Sequence, residues 1–359
     1  MPKITGNKGE WSELYVLLEL LADGKLYAAD DKLKKLEDIY FPILKILRDE
    51  ESSKKMEYVI EDDKKVELYI NGKKCKDISR ADLKEFSTIL YKRIIEGDKE
   101  RAFEVEEASR IMPEIECTKI KAPSTDKTDI RMQLQDINTG YKTICGFSIK
   151  SELGSPPTLL NASGATSFQF EVTGINDGDV DIINNIEGRT KILDRVKCID
   201  ERGTLKYVKA KSKGFSNNLM YIDSYMEEII VSSLLFCYRT GNKTCSEIVD
   251  MLEETNPLGY PKRGLYEYKF KKFLCAIALG MTPSKEWDGR DEANGGYIAV
   301  TTKGDVLAYH IYNRDYFEEY LLNNTRFDRG STSKHSFATV YKENGKYYFD
   351  MNLQIRFIK

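Results

Sequence analysis

The stretch DKTDIRMQLQDINTGYKTICGFSIKS, from Asp126 to Ser151, decides how the rest of the chain is read. Ile130, Met132 and Leu134 alternate with Arg131, Gln133 and Gln135, the period of a strand with one buried face. A second strand follows the turn at Asn138-Thr139-Gly140. Thr143, Cys145, Phe147 and Ile149 take one of its sides, and Ile144, Gly146, Ser148 and Lys150 take the other. A two-residue turn at Asn138-Thr139 sets Asp129 opposite Ser148, whereas one at Thr139-Gly140 sets it opposite Lys150. Cross-strand partners lie ~5 Å apart at Cβ, and Ser148 shares a face with Lys150. Either register therefore lets the Asp129 carboxylate and the Lys150 ammonium converge.

An aspartate and a lysine at a hairpin's end, beside the strand carbonyl of Ile149, suit phosphodiester hydrolysis. The carboxylate holds a divalent ion, which takes up charge from the attacking water and the scissile phosphate. The lysine assists that water or neutralises the developing negative charge. Hard oxygen ligands and a phosphate substrate make Mg²⁺ the expected metal. The same spacing also fits a structural ion pair at a sheet edge.

Working outward, GNKGEWSELYVLLELLADG reads as a helix, with Trp11, Leu14, Tyr15, Leu18 and Leu21 at helical spacing and Gly24 as its stop. A second helix is expected over Leu33 to Arg48, and a hairpin over MEYVIEDDKKVELYING, with Asn71-Gly72 as a further turn signal. Ser79 and Gly97 bracket another helix. The segment from Asp98 to Ile111 reads as helical up to Pro113, and IECTKIKA as a strand. The middle third carries a basic ribbon, GTLKYVKAKSKG. A long helix is expected from Asn217 to Arg239, with two more over Ser246 to Glu254 and Leu265 to Leu279. A hairpin through Lys303-Gly304, a short helix at Tyr316 to Leu322 and closing strands complete the chain.

Strands and helices mix without βαβ regularity. The expected class is α+β, with a mixed central sheet flanked by helices and a largely helical insertion. The expected division is a core at 1–172, a mostly helical or recognition region at 173–290, and C-terminal strands returning to the core at 291–359.

A length of 359 residues suits about two domains, and a hydrophobic fraction of 41% gives enough material for a buried core. The net charge of -3 excludes a uniformly basic nucleic-acid binder but leaves room for a local basic surface. Seven cysteines without CxxC spacing argue against a disulfide framework or a zinc knuckle. Two histidines, His310 and His335, without a partner at metal spacing argue against a zinc hydrolase. No P-loop, GxGxxG or GxSxG occurs. Met1-Pro2-Lys3 leads into polar residues, so neither a signal peptide nor a membrane span is expected, and a cytoplasmic protein is.

Asp129, a strand turn and Ser148-Ile149-Lys150 resemble the PD-(D/E)xK nuclease motif, with serine at the second acid position. GNKGEWSELYVLLELLADGKLYAAD, GFSIKSELGSPPTLLNASGATSF and the ending RFDRGSTSKH…NLQIRF are similar to type II restriction endonucleases of the HpaII family. The resemblance implies a restriction-endonuclease-like core and Mg²⁺-dependent cleavage of double-stranded DNA at CCGG. It implies a cognate cytosine methyltransferase as genetic partner, and a palindromic site favours a homodimer. It matches Asp129 to the motif aspartate and metal ligand, Lys150 to the motif lysine, and Ser148 to the position of the missing acid. Related nucleases bring a glutamate from a preceding helix, which makes Glu13 and Glu10, spaced i, i+3, the natural substitutes; Asp126 and Glu152 are weaker ones. The metal set is then Asp129, Glu13 and the Ile149 carbonyl.

A restriction enzyme also reads bases and grips phosphates. SPPTLLNASGATS offers Asn161 and Ser163. TRFDRGSTSKHSF offers Arg326, Arg329, Ser331, Ser333, Lys334 and His335, which the resemblance places against DNA. Two alternatives stand beside this reading: a non-catalytic DNA-binding module, and a repair or junction nuclease on the same core.

Overall fold

The computed structural model describes residues 4–51, 54–98, 101–121, 128–330 and 337–358. The first helix, α1 (Lys8–Asp23), starts where Asn7 accepts from the Glu10 amide and Glu10 reaches back to the Asn7 amide. This reciprocal capping satisfies two amides that the helix leaves open. Gly24 ends α1 in the left-handed conformation, where a side chain is strained. Ser79 and Gly97 bracket α2 (Arg80–Glu96), as their residue types indicate.

Nine strands form one mixed sheet among the described residues: β1 (Lys25–Ala29), β2 (Lys35–Glu51), β3 (Lys54–Ile60), β4 (Lys65–Ile70), β5 (Lys73–Ser79), β6 (Ile130–Gln135), β7 (Lys142–Ser151), β8 (Gly296–Val300) and β9 (Val306–His310). Their order is β1-β9-β8-β7-β6-β2-β3-β4-β5, and β1 also pairs with β2. The pairs β7–β8 and β9–β1 are parallel; the others are antiparallel. Asn71 and Gly72 take the positive φ values that a tight β4–β5 turn needs.

The sheet buries one face against α1 and α2. Trp11, Leu14, Leu18 and Leu21 of α1 and Leu83, Leu90 and Ile94 of α2 are wholly enclosed. They share one cluster with Met132, Phe147, Ile149, Ile298, Val300 and Ala308 from the strands. On the opposite face of β8 and β9, Tyr297 and Tyr309 pack on Phe317 and Tyr320.

The helix expected over Leu33 to Arg48 is instead the long strand β2. Its apolar residues do recur at helical spacing, but Pro42 inside a helix costs about 3 kcal/mol. In the sheet Pro42 stands where β2 changes neighbours: Lys25 pairs with Pro42, and Ile43 pairs with Leu134 of β6. Nor do residues 115–121 of IECTKIKA form a strand. The Glu50 carboxylate holds them by accepting from the Thr118 and Lys119 amides and the Thr118 hydroxyl. The helix expected from Asp98 is only Ala108–Glu114, and it contains Pro113.

The chain forms two compact units, 1–157 with 291–320, and 158–290 with 321–359. The expected boundaries shift accordingly. Residues 158–172 and the closing strands belong with the helical region, whereas 291–320 returns to the first unit through the parallel β7–β8 joint. Gly296 sits at that joint with φ +122, and a Cβ there would lie 2.1 Å from the Tyr309 carbonyl oxygen. The second unit carries the expected helices, with the 217–239 segment divided at Asp223 into Lys213–Ile222 and Met226–Thr240. Helices Asp177–Asn184 and Lys191–Arg202 add to the expected set. All seven cysteines are free, and among the described residues no helix is long and apolar enough to cross a membrane.

His310 closes β9 as a packed residue, 2% exposed, stacked on Phe41 at 4.5 Å between ring centroids. Burial pushes its imidazole down to about 4 from the usual 6.5, against an opposing pull from Asp136. Between these pH values the unfolded chain binds the extra proton and the folded one does not, so stability falls as pH drops from about 6.5 to about 4. The full loss is about 3 kcal/mol. Urea denaturation across this range checks it: the pH slope of stability should flatten in His310→Asn, whatever that variant's absolute stability.

Candidate active site at the splayed end of two strands

The hairpin of β6 and β7 adopts the register Ile130↔Phe147 through Gln135↔Lys142. This is the alignment of a turn centred on Asn138-Thr139, but the loop is wider. Gly140 donates to the Asp136 carbonyl at 2.8 Å, and the Asp136 side chain accepts from the amides of Asn138 and Thr139. Asp136 thus ties the loop with its own carboxylate, and Gly140 completes it at φ +69.

At the other end of the hairpin the ladder changes step. The Asp129 amide donates to the Phe147 carbonyl at 2.9 Å, although Phe147 is already the partner of Ile130. Two residues of one strand then face one of the other, which bends the chain and re-aims the Asp129 side chain. Its Oδ2 accepts from the Ile149 amide at 2.6 Å and from the Ser148 hydroxyl at 3.3 Å. Its Oδ1 accepts no hydrogen bond among the described residues.

Beyond Leu47↔Arg131 the pairing of β2 with β6 stops, and the two strands part. The gap holds a small cavity of about 30 Å³ lined by Thr128, Asp129 and Arg131 from one side, by Leu47, Arg48 and Asp49 from the other, and by Glu13 and Leu17 of α1. The hydrogen bond from the Ser12 hydroxyl to Ser151 Oγ, 2.8 Å and buried, ties α1 to β7 beside this gap.

The structure brings Asp129, Ser148 and Ile149 into direct contact and sets Glu13 in the same cavity as Asp129. Lys150 stands two residues beyond Ser148, half-buried, next to Ala299 of β8. It forms no ion pair with Asp129 or any other described residue, so the ammonium is not consumed by a structural bridge. Glu10 is differently placed. It caps α1 and pairs with Lys121. Burial alone raises its carboxyl, but Lys121 and the Asn7 amide outweigh that and hold it below the usual range. Glu152 lies exposed just past β7, with its amide on the Val300 carbonyl. Asp126 lies outside the described residues.

The cavity also contains residues that sequence reasoning passed over. Arg131 was visible only as one of three polar residues on the outer face of β6. Arg48 ended the stretch read as a helix, and Asp49 followed it directly. Arg131 Nη2 donates to Asp49 Oδ2 at 2.6 Å.

The oxygen-only donor set suits a hard divalent ion. Asp129 has a free carboxylate oxygen, and neither imidazole nor sulfur lines the cavity. Among the described residues no three of His, Cys, Asp and Glu converge on one point. The chain therefore supplies few ligands, the situation Mg²⁺ tolerates by keeping waters and taking oxygens from a phosphate.

The residues expected to meet DNA lie in the second unit. Asn161 is exposed, while Ser163 is a cap whose carbonyl accepts from Asn352. Arg326 pairs loosely with Asp328, and its buried Nε has no hydrogen-bond partner among the described residues. Arg329 donates to Asn242, which in turn donates to Asp328. Ser331, Ser333, Lys334 and His335 lie outside the described residues.

Comparison with known proteins bears on what such a cavity does. The profile of the HpaII restriction endonuclease family matches residues 7–357. Type II restriction enzyme HpaII of Haemophilus parainfluenzae is 39% identical over 360 aligned residues, covering 99% of each chain. No solved structure matches.

The capping role of Glu10 has a measurable consequence. Glu10→Ala is expected to cost about 1 kcal/mol of stability, since it removes one half of the reciprocal cap. The midpoint of urea denaturation should fall at unchanged slope.

Proposed function

We propose, from the premise that this chain belongs to the HpaII restriction endonuclease family, that its splayed-strand cavity cuts duplex DNA at CCGG with Mg²⁺ as the metal. The protein is a DNA-cleaving hydrolase. The observation that carries the site assignment is the Asp129 carboxylate, fixed on one oxygen by the Ile149 amide and open on the other.

Asp129, the Ile149 carbonyl and Glu13 would hold the ion, with Ser148 in the place of the usual second acid. When bound, the ion lowers the pKa of a water and takes charge from the scissile phosphate oxygens. The chain's own residues do the rest. The Ile149 amide and the Ser148 hydroxyl orient the Asp129 carboxylate, so its direction is set before substrate arrives. Lys150 stands on the Ser148 face, where its side chain stabilises the negative charge that grows as water attacks phosphorus and the ester oxygen departs. Serine at position 148 cannot supply a charge, so the second carboxylate comes from α1. Glu13 lines the cavity, whereas Glu10 is committed to its cap. Arg326, Arg329 and Asn161, with Ser163, Ser331, Ser333, Lys334 and His335, are assigned to the duplex. The proposed setting is cytoplasmic, with a cytosine methyltransferase protecting the host sites and a two-fold dimer matching a palindrome.

Asp129→Ala and Lys150→Ala are each expected to lower cleavage by a factor on the order of 10³ or more, with fold and duplex binding retained. Glu13→Gln should lower it, whereas Glu10→Gln should not. Digestion of a sequenced plasmid with Mg²⁺, and sequencing of the ends, reads both activity and site. Chelation with EDTA should stop cutting. Full cutting by Asp129→Ala would remove the catalytic assignment, and ends mapping to another sequence would remove CCGG.

A further inference from the structure

Arg131 follows Asp129 by two positions. On that strand Ile130, Met132 and Leu134 are buried, so Arg131 stands on the polar face, displaced from Asp129 by ~7 Å along the strand. Its cross-strand partner is Gly146, which puts no side chain over it. A Cβ at Gly146 would lie 2.4 Å from Thr128 Cγ2, so the Thr128 side chain takes the space that a side chain at 146 would fill. Arg131 and Asp129 line the same cavity.

The guanidinium is aimed but barely used. Among the described residues only Nη2 is engaged, by Asp49 Oδ2. Both side chains remain about 40% accessible, at 42% and 39%. An ion pair that exposed is worth roughly 0–1 kcal/mol and gives little reason by itself for an arginine here. Asp49 also brings a negative charge into a cleft that must admit a phosphodiester, and Arg131 offsets it. The remaining guanidinium donors form a planar fork that matches phosphate oxygens. Resting on the reading of Asp129 as the cleavage centre, we propose that Arg131 is a DNA-phosphate clamp. In this role it grips a backbone phosphate beside the scissile one while Asp49 acts as the positioning residue that orients it.

The test is equilibrium binding of the full chain to a duplex containing CCGG, in EDTA, over a series of salt concentrations. Arg131→Ala is expected to raise Kd about 10-fold and to reduce the slope of log K against log salt by about 1, at unchanged Tm. Arg131→Lys is expected to restore the slope but not the whole affinity, because it keeps the charge and loses the fork. Unchanged Kd and slope in Arg131→Ala would overturn the proposal. So would a fall in Tm with the slope intact, the signature of a purely structural pair. Since EDTA removes cleavage from the measurement, this result is independent of the chemistry. An active Asp129→Ala enzyme counts against the catalytic reading, whereas an Arg131→Ala variant with unchanged Kd and salt slope counts against the clamp alone.

Discussion

The hydrogen bond from the Ile149 amide to the Asp129 carboxylate is the contact on which the rest of the site depends. It spans two neighbouring strands at the point where their regular ladder ends. A carboxylate left to rotate freely on a loop would sample many directions. Here one oxygen is pinned at 2.6 Å, and the other accepts no hydrogen bond among the described residues. The extra residue opposite Phe147 makes this possible, because a strand in strict register would spend its amides on its neighbour and carry its side chains past the strand end. Preorganisation of this kind means that little ordering remains to be done when substrate binds.

That contact needs a platform that does not move. Two helices and the sheet enclose an apolar cluster, to which β7 contributes Phe147, wholly buried, and Ile149, nearly so. The parallel joint with β8 supports β7 on its other edge, and Gly296, which opens β8 at φ +122, leaves room for the Tyr309 carbonyl of β9 where a side chain would sit. The well-packed part of the first unit thus carries Asp129's neighbours Ser148 and Ile149, while the cavity opens where β2 and β6 part.

Much of this was legible. The alternation in IRMQLQ and ICGFSIK marks which side chains face the core, and the helix boundaries at Gly24 and Ser79 follow from the conformation or capping bond those residues favour. The same alternation sets Ser148 and Lys150 on one face. The resemblance of three separated blocks to one family extends to the whole chain. The different placement of Glu10 and Glu13 was not legible: the two glutamates sit three residues apart in one helix, yet Glu10 caps it and pairs with Lys121 while Glu13 lines the cavity.

What the sequence by itself determined is local: the period of each strand, the caps of the helices, the turn signals and the placing of Ser148 and Lys150 on one face of their strand. These depend on neighbours a few residues away. Tertiary structure decided the rest. Residues 35–51 carry a helical apolar spacing, yet become a strand because β1, β3 and β6 offer hydrogen bonds along both of its edges, and Pro42 is tolerated where those neighbours change. The assignment of 291–320 to the first unit, the gap between β2 and β6, and the meeting of Asp49, Arg131 and Glu13 beside Asp129 all join residues far apart in the chain. No local pattern encodes such meetings, because they arise only when distant segments bury their apolar faces together.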